Sequence, residues 1–199
     1  DIYSINKQNK IRVFALNMTG KNSFDLQSKI DLTNNSEKQW TAPRGDWAVL
    51  SFWMVKDQTE APFTQIDYMD ENAVKAFINI THDEYYKRYG KFFGNTIPGV
   101  FFDEMYLNLD GKDVLPWTDD FAEGFKSTNS YNILDELPSL VLESSNSASV
   151  NYDYFRELTR RYDDAWFKQI AGWCDQHNIG LVGHTEEGFD SYKKEEIGR

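Results

Sequence analysis

The sequence predicts an α/β protein, a partial (β/α)8 TIM-barrel-type domain with a short N-terminal β-rich segment. Two observations carry the class. Two helical patterns each lead through a short turn into a compact apolar run, and each run stops at polar, acidic residues. The first run, Gly99 to Phe102, is followed by Asp103 and Glu104, and the second, Gly180 to Gly183, by His184, Thr185, Glu186 and Glu187. Helix, turn, strand is the αβ half of an α/β repeat. A third observation sets the extent: a complete eight-unit barrel takes about 250 residues, and this chain has 199.

The elements follow in order. Ile11 to Phe14 reads as a short strand, and a Lys/Asn/Asp-rich stretch runs on to Lys38. Pro43 and Gly45 mark a turn. Trp47 to Val55 is an almost continuous apolar run, read as a strand buried on both sides or at a sheet edge against a second layer, and a possible third barrel unit. Asp70 can cap a helix whose apolar positions Val74, Phe77, Ile78, Thr81 and Tyr85 recur at helical spacing as far as Gly90. Past Met105 the chain loops through Asp110, Gly111 and Pro116. Short helices are expected at Asp119 to Phe125 and Ile133 to Leu142, the second broken or kinked at Pro138. The longest helix spans Tyr152 to Cys174, with Phe155, Leu158, Tyr162, Ala165, Trp166, Gln169, Ile170 and Trp173 facing inward. Residues 1–46 thus form a β-rich lead-in or linker. Residues 47–199 form the barrel region, with a cleft-forming insertion at about 105–150.

Composition narrows the partners. The chain carries 32 acidic and 21 basic side chains, a formal charge of -11. A nucleic-acid backbone requires a basic surface to displace counterions, so the charge disfavours nucleic acid as a partner, and equally an anionic membrane surface. No run approaches the roughly 18 apolar residues of a membrane span, and no signal peptide is visible; the start at Asp1 suggests a cut N-terminus. The single cysteine, Cys174, allows neither an internal disulfide nor a cysteine-rich zinc site, and its place on an apolar stripe makes it a buried, inert thiol. The aromatic side chains, 6 Trp, 11 Tyr and 14 Phe, exceed what a minimal core needs. They suit either stacking against sugar C–H faces or plain core filling.

In parallel α/β architectures the residues just past the strand carboxyl ends converge on the ligand site. That rule selects Asp103, Glu104, His184, Glu186 and Glu187. The ordered motifs around them are familiar. Pro98-Gly-Val-Phe-Phe-Asp-Glu104, then Pro116-Trp-Thr-Asp-Asp-Phe121, Leu137-Pro-Ser-Leu140, Tyr152-Asp-Tyr154, Trp173-Cys-Asp-Gln-His177 and Gly183-His184-Thr-Glu-Glu187 form the series. With Trp40-Thr-Ala-Pro-Arg-Gly-Asp-Trp47 and His82-Asp-Glu-Tyr-Tyr86 upstream, it resembles the α-L-rhamnosidase-like glycoside hydrolases of the family 106 type and their bacterial relatives. The resemblance covers roughly Trp40 to Gly188.

What the resemblance implies is a large multidomain protein, secreted or periplasmic, with a (β/α)8-type catalytic domain, further domains of a larger parent chain, and often bound calcium. It implies hydrolysis of terminal α-L-rhamnosides with inversion, using two glutamates. Glu104 matches the acidic residue of the family's strand-end motif and takes the general-acid role, with Glu186 or Glu187 as the positional match for the base. Met105 stands where the family often has proline.

The chemistry fits those residue types. One carboxylic acid protonates the leaving oxygen and a second carboxylate activates water or attacks carbon; inversion needs them about 6.5–9.5 Å apart, retention about 5 Å. On extended backbone Asp103 and Glu104 point to opposite faces, so Glu104 is assigned to the cleft and Asp103 to a supporting hydrogen bond or calcium. His184 would donate to a sugar hydroxyl or orient a carboxylate. Trp117, in the insertion, is either a sugar platform or a ring tacking the loop down. The histidines at 82, 177 and 184 lack close ligand spacing, so no metal site and no required cofactor is assigned, and calcium rests on the resemblance. His82 is read as a packed or capping side chain and His177 as a partner of helix-end carbonyls. Three rival readings stand beside the glycosidase: a non-catalytic carbohydrate-binding or structural fragment, a barrel enzyme of other chemistry, and a Ser–His–Asp hydrolase, for which no Gly-x-Ser-x-Gly elbow appears.

Overall fold

The computed structural model describes residues 10–35, 40–55, 66–103, 107 and 114–184. They fall into two compact units, Asp1–Thr64 with Asp119–Glu157, and Gln65–Thr118 with Leu158–Arg199.

In the first unit β1 (Lys10–Asn17) is the central strand of an antiparallel sheet, flanked by β2 (Ile30–Asp31) and β3 (Trp47–Trp53). Phe14, Ala15 and Leu16 are buried in succession, so both faces of β1 are covered. The expected strand at Ile11 to Phe14 is therefore longer at both ends. Trp47 to Val55 requires a correction. It pairs antiparallel with β1, Asn17 opposite Trp47 and Lys10 opposite Trp53, and is no third barrel unit. A continuous apolar run carries no strand direction; the edge position that the sequence also allowed is the one that forms.

The α-helical pieces described in this unit are α3 (Phe121–Thr128), α4 (Leu137–Val141) and the start of α5 (Ser147–Tyr162). Phe121 and Phe125, four residues apart on one face of α3, are fully buried, and the Phe121 ring lies 5.3 Å from that of Tyr154. Pro138 sits in the first turn of α4, where its missing N–H costs nothing. Several polar groups that enter this interior are matched, while the buried Arg12 Nε and Trp47 Nε1 find no hydrogen-bond partner among the described residues. Lys29 places its ammonium 3.0 Å from Glu136, Asn146 donates to the other Glu136 oxygen at 2.9 Å, and buried Glu157 accepts from Thr128 Oγ1 at 3.1 Å.

The second unit contains α1 (Glu71–Ile80), α2 (His82–Tyr89), β4 (Gly99–Asp103), α6 (Lys168–Gln176) and β5 (Gly180–His184). The Asp70 carboxylate caps α1, accepting from Asn72 N at 2.8 Å. The single helix expected as far as Gly90 is divided at Thr81, whose φ and ψ are -113° and -69°. Its Oγ1 bonds back to the Phe77 carbonyl at 2.5 Å, a threonine habit that bends helices.

The long helix also differs from its sequence pattern. It begins at Ser147, and the turn Asp163–Phe167 between α5 and α6 is π-helical. A π turn inserts about one extra residue and rotates the apolar stripe. Upstream of it Val150, Tyr154 and Leu158 are buried and Phe155 is exposed, correcting its inward assignment; downstream the stripe is Trp166, Ile170, Trp173 and Cys174. The helix ends at His177, and Asn178 takes a left-handed φ of 56°, the usual stop that lets the chain turn into a strand.

The core of this unit joins Val74 and Ile78 of α1 to Ala165, Trp166, Ile170, Trp173, Cys174 and Ile179, with Val100, Phe102 and Leu181 packed against them from the strands. Trp173 donates its indole N–H to Asp83 at 2.8 Å and packs its ring against His82 (5.1 Å) and His177 (4.0 Å). His82 is a packed residue, and His177 Nδ1 meets the Trp173 carbonyl at 2.7 Å, as the sequence suggests. Among the described residues the strands form one antiparallel and one parallel sheet, and no closed barrel.

Candidate active site

The site is built by β4 and β5. They pair in parallel, Gly99 opposite Gly180 through to Asp103 opposite His184. Side chains alternate along a strand. Val100, Phe102 and Leu181 face the helices; Phe101, Asp103, Val182 and His184 therefore share the opposite face. Exposure agrees: Phe101 and Val182 are each 61 % exposed. Gly183 stands against Phe102, whose carbonyl and ring occupy the space a Cβ would need. Glycine at that place lets the two strands close up with the Phe102 ring turned into the core.

At the carboxyl ends of the strands, His184 Nε2 lies 3.0 Å from Asp103 Oδ1. A carboxylate only accepts, so in a hydrogen bond between the two the imidazole Nε2 is the donor. The Phe101 ring meets the imidazole edge to face, centroids 5.7 Å apart. One face at the strand ends thus presents a carboxylate, an imidazole oriented by it, and an aromatic ring one strand step below.

Of the site residues expected from sequence, Asp103 and His184 are brought into direct contact, and Asp103, which strand alternation assigns to the face opposite the cleft, lies with His184 on the face turned away from the helices. Glu104, Glu186 and Glu187 lie outside the described residues. Trp117 is half-buried in the second unit. The sequence reading does not pair Asp103 with His184 and does not single out Phe101 or Val182. The signal was present in the alternation of Gly-Val-Phe-Phe-Asp and Gly-Leu-Val-Gly-His, since residues two before a strand-end polar group share its face. Among the described residues no group of three or more His, Cys, Asp or Glu side chains can hold a metal ion. Among the same residues no helix is long and apolar enough to cross a membrane.

A parallel βα unit with a polar pair at its strand ends defines the class, an α/β protein. The chain belongs to glycoside hydrolase family 106, the alpha-L-rhamnosidase family, which it matches over residues 4–198. It is similar to the structure of a rhamnosidase from Novosphingobium sp. PP1Y, at 20% identity and a TM-score of 0.54, over 82% of this chain and 17% of that one. That likeness is one of fold, and this chain spans less than a fifth of the rhamnosidase's length. No curated protein matches the chain.

Proposed function

We propose that the chain is part of the catalytic region of a glycoside hydrolase that removes terminal sugars, with α-L-rhamnosides as substrates. Family membership supports the reaction class. The observation that carries the reading to residues is the Asp103–His184 contact at paired strand ends. In sequence it is followed at once by Glu104 on one strand and by Glu186 and Glu187 on the other.

In this reading β4 and β5 are two strands of a larger (β/α)8 barrel completed by further polypeptide of a parent protein. Glu104 is the general acid, Glu186 or Glu187 the second carboxylate, and Asp103, His184 and Trp117 bind the sugar. A polysaccharide-degrading role places the protein outside the cytoplasm, secreted or periplasmic. The test is hydrolysis of 4-nitrophenyl α-L-rhamnoside by the full-length protein. Glu104→Gln is expected to lower kcat by at least about 10²-fold with unchanged folding, the scale of losing a positioned acid. An unchanged rate would remove Glu104 from the mechanism, and absence of rhamnoside cleavage by the wild type would overturn the substrate.

A further inference from the structure

We propose that His82 is an acid-sensitive latch at the junction of α1 and α2. Neutral, its ring seats that junction against Trp173 of α6; protonated at Nε2, it leaves the seat and uncovers the indole. The latch stands on the packing of the second unit and is independent of the glycosidase reading.

The hydrogen bonds assign the tautomer of the ring. Thr81 Oγ1 lies 2.5 Å from the Phe77 carbonyl oxygen and 2.8 Å from His82 Nδ1. A carbonyl oxygen only accepts, and a hydroxyl has one proton to give. The Thr81 proton therefore goes to Phe77, and its oxygen accepts from the Nδ1–H of His82. Nε2 is left with a bare lone pair. That atom is buried and meets no hydrogen-bond partner among the described residues.

The surroundings suit a neutral ring and reject a charged one. Phe77 of α1 and Trp173 of α6 meet the imidazole edge to face, with centroids 5.4 and 5.1 Å away. His82 also opens α2, where the unsatisfied helix N–H groups disfavour positive charge. The Asp83 charge beside it favours a proton, but Asp83 Oδ1 is engaged by the Trp173 indole N–H at 2.8 Å. Glu84 is paired with Lys87 and Arg88. From α6, His177 stacks on the same indole at 4.0 Å and donates through Nδ1 to the Trp173 carbonyl. A proton on Nε2 thus has no acceptor in place, and a buried charge without one is relieved by moving into water. For His82 that means turning away from Trp173 and giving up the Thr81 hydroxyl. Burial already holds its pKa below the ordinary 6.5. Release is then coupled to one proton and gains up to about tenfold in its equilibrium per pH unit below the unperturbed pKa.

The test is hydroxyl-radical footprinting of the full-length protein between pH 7.5 and 5.0, read by mass spectrometry. Lys168 separates Trp166 and Trp173 into different tryptic peptides, so Trp166, buried in the same core, serves as the control. Oxidation of Trp173 relative to Trp166 is expected to rise by at least about threefold across that range, as released conformers gain weight. His82→Phe keeps a ring over the indole and cannot titrate; its ratio is expected to stay flat with pH. His82→Asn, which keeps an N–H donor for Thr81, is expected to be flat too and serves if the phenylalanine variant does not fold. A flat ratio in the wild type overturns the proposal. So does a rise that persists in a folded His82 variant, which would assign it to His177 or to another group. A rise of both tryptophans together would mark general acid unfolding and overturn it as well.

Discussion

His184 and Asp103 are the last paired residues of two parallel strands, and their side chains meet at 3.0 Å on the face away from the core. At that distance the carboxylate is placed to orient the ring. Asp103→Asn and His184→Gln are each expected to lower kcat/KM of the full-length protein on a rhamnoside by about 10²-fold, the cost of a misplaced group. Because the two act as a unit, the double variant is expected to lose little more than either single one. Steady-state kinetics of the four proteins check this, and additive losses would show that the contact is incidental.

Gly183 faces the carbonyl and ring of Phe102 with no room for a methyl group. Gly183→Ala must push the strands apart or turn Phe102 out of the core. The expected loss is about 1–3 kcal/mol, the usual range for overpacking. Chemical denaturation of the wild type and variant reads it out. Gly172→Ala is the control, because a Cβ there meets nothing within 4 Å.

Burial lowers the pKa of His82 from its ordinary value of 6.5, against a smaller opposing pull from Asp83. The folded state therefore holds this ring neutral where the unfolded chain protonates it. The stability it contributes is present above pH 6.5 and is lost as pH falls through that value towards the lowered folded pKa. The denaturation midpoint is expected to drop between pH 7.5 and 5, and less steeply in His82→Gln. Parallel slopes in the two proteins would place the acid sensitivity elsewhere.

Cys174 is buried, and burial raises the pKa of its thiol, with Asp175 adding to the effect. A thiol reagent needs both access and thiolate. Labelling by 5,5′-dithiobis(2-nitrobenzoate) at pH 8 is expected to be at least about 10²-fold slower in the native protein than in denaturant, following the population of opened states. Rapid native labelling would contradict the packing of α6.

Much of this was legible in the residues. The helix capped by Asp70, the strands at Gly99 and Gly180 and the buried thiol follow from periodicity, caps and turn residues, which act over a few neighbours. What failed did so for reasons of the same kind. The division at Thr81 depends on one hydroxyl bonding back to Phe77, and the π turn at Asp163–Phe167 changes the helical period in mid-pattern. Periodicity read at a constant 3.6 residues per turn therefore kept Phe155 inside when Tyr154 is the buried residue. The run Trp47 to Val55 announces a strand and leaves its direction open, because pairing partners lie far away in sequence; antiparallel pairing of Trp47–Trp53 with β1 settles it.

The sequence by itself determined that two apolar runs end in Asp-Glu and in His-Thr-Glu-Glu, and so which residue types crowd the strand ends. Only the tertiary structure decided that Asp103 and His184 touch, because that contact depends on the register of two strands 81 positions apart at those residues. A slip of one residue would have sent one of the two side chains into the core.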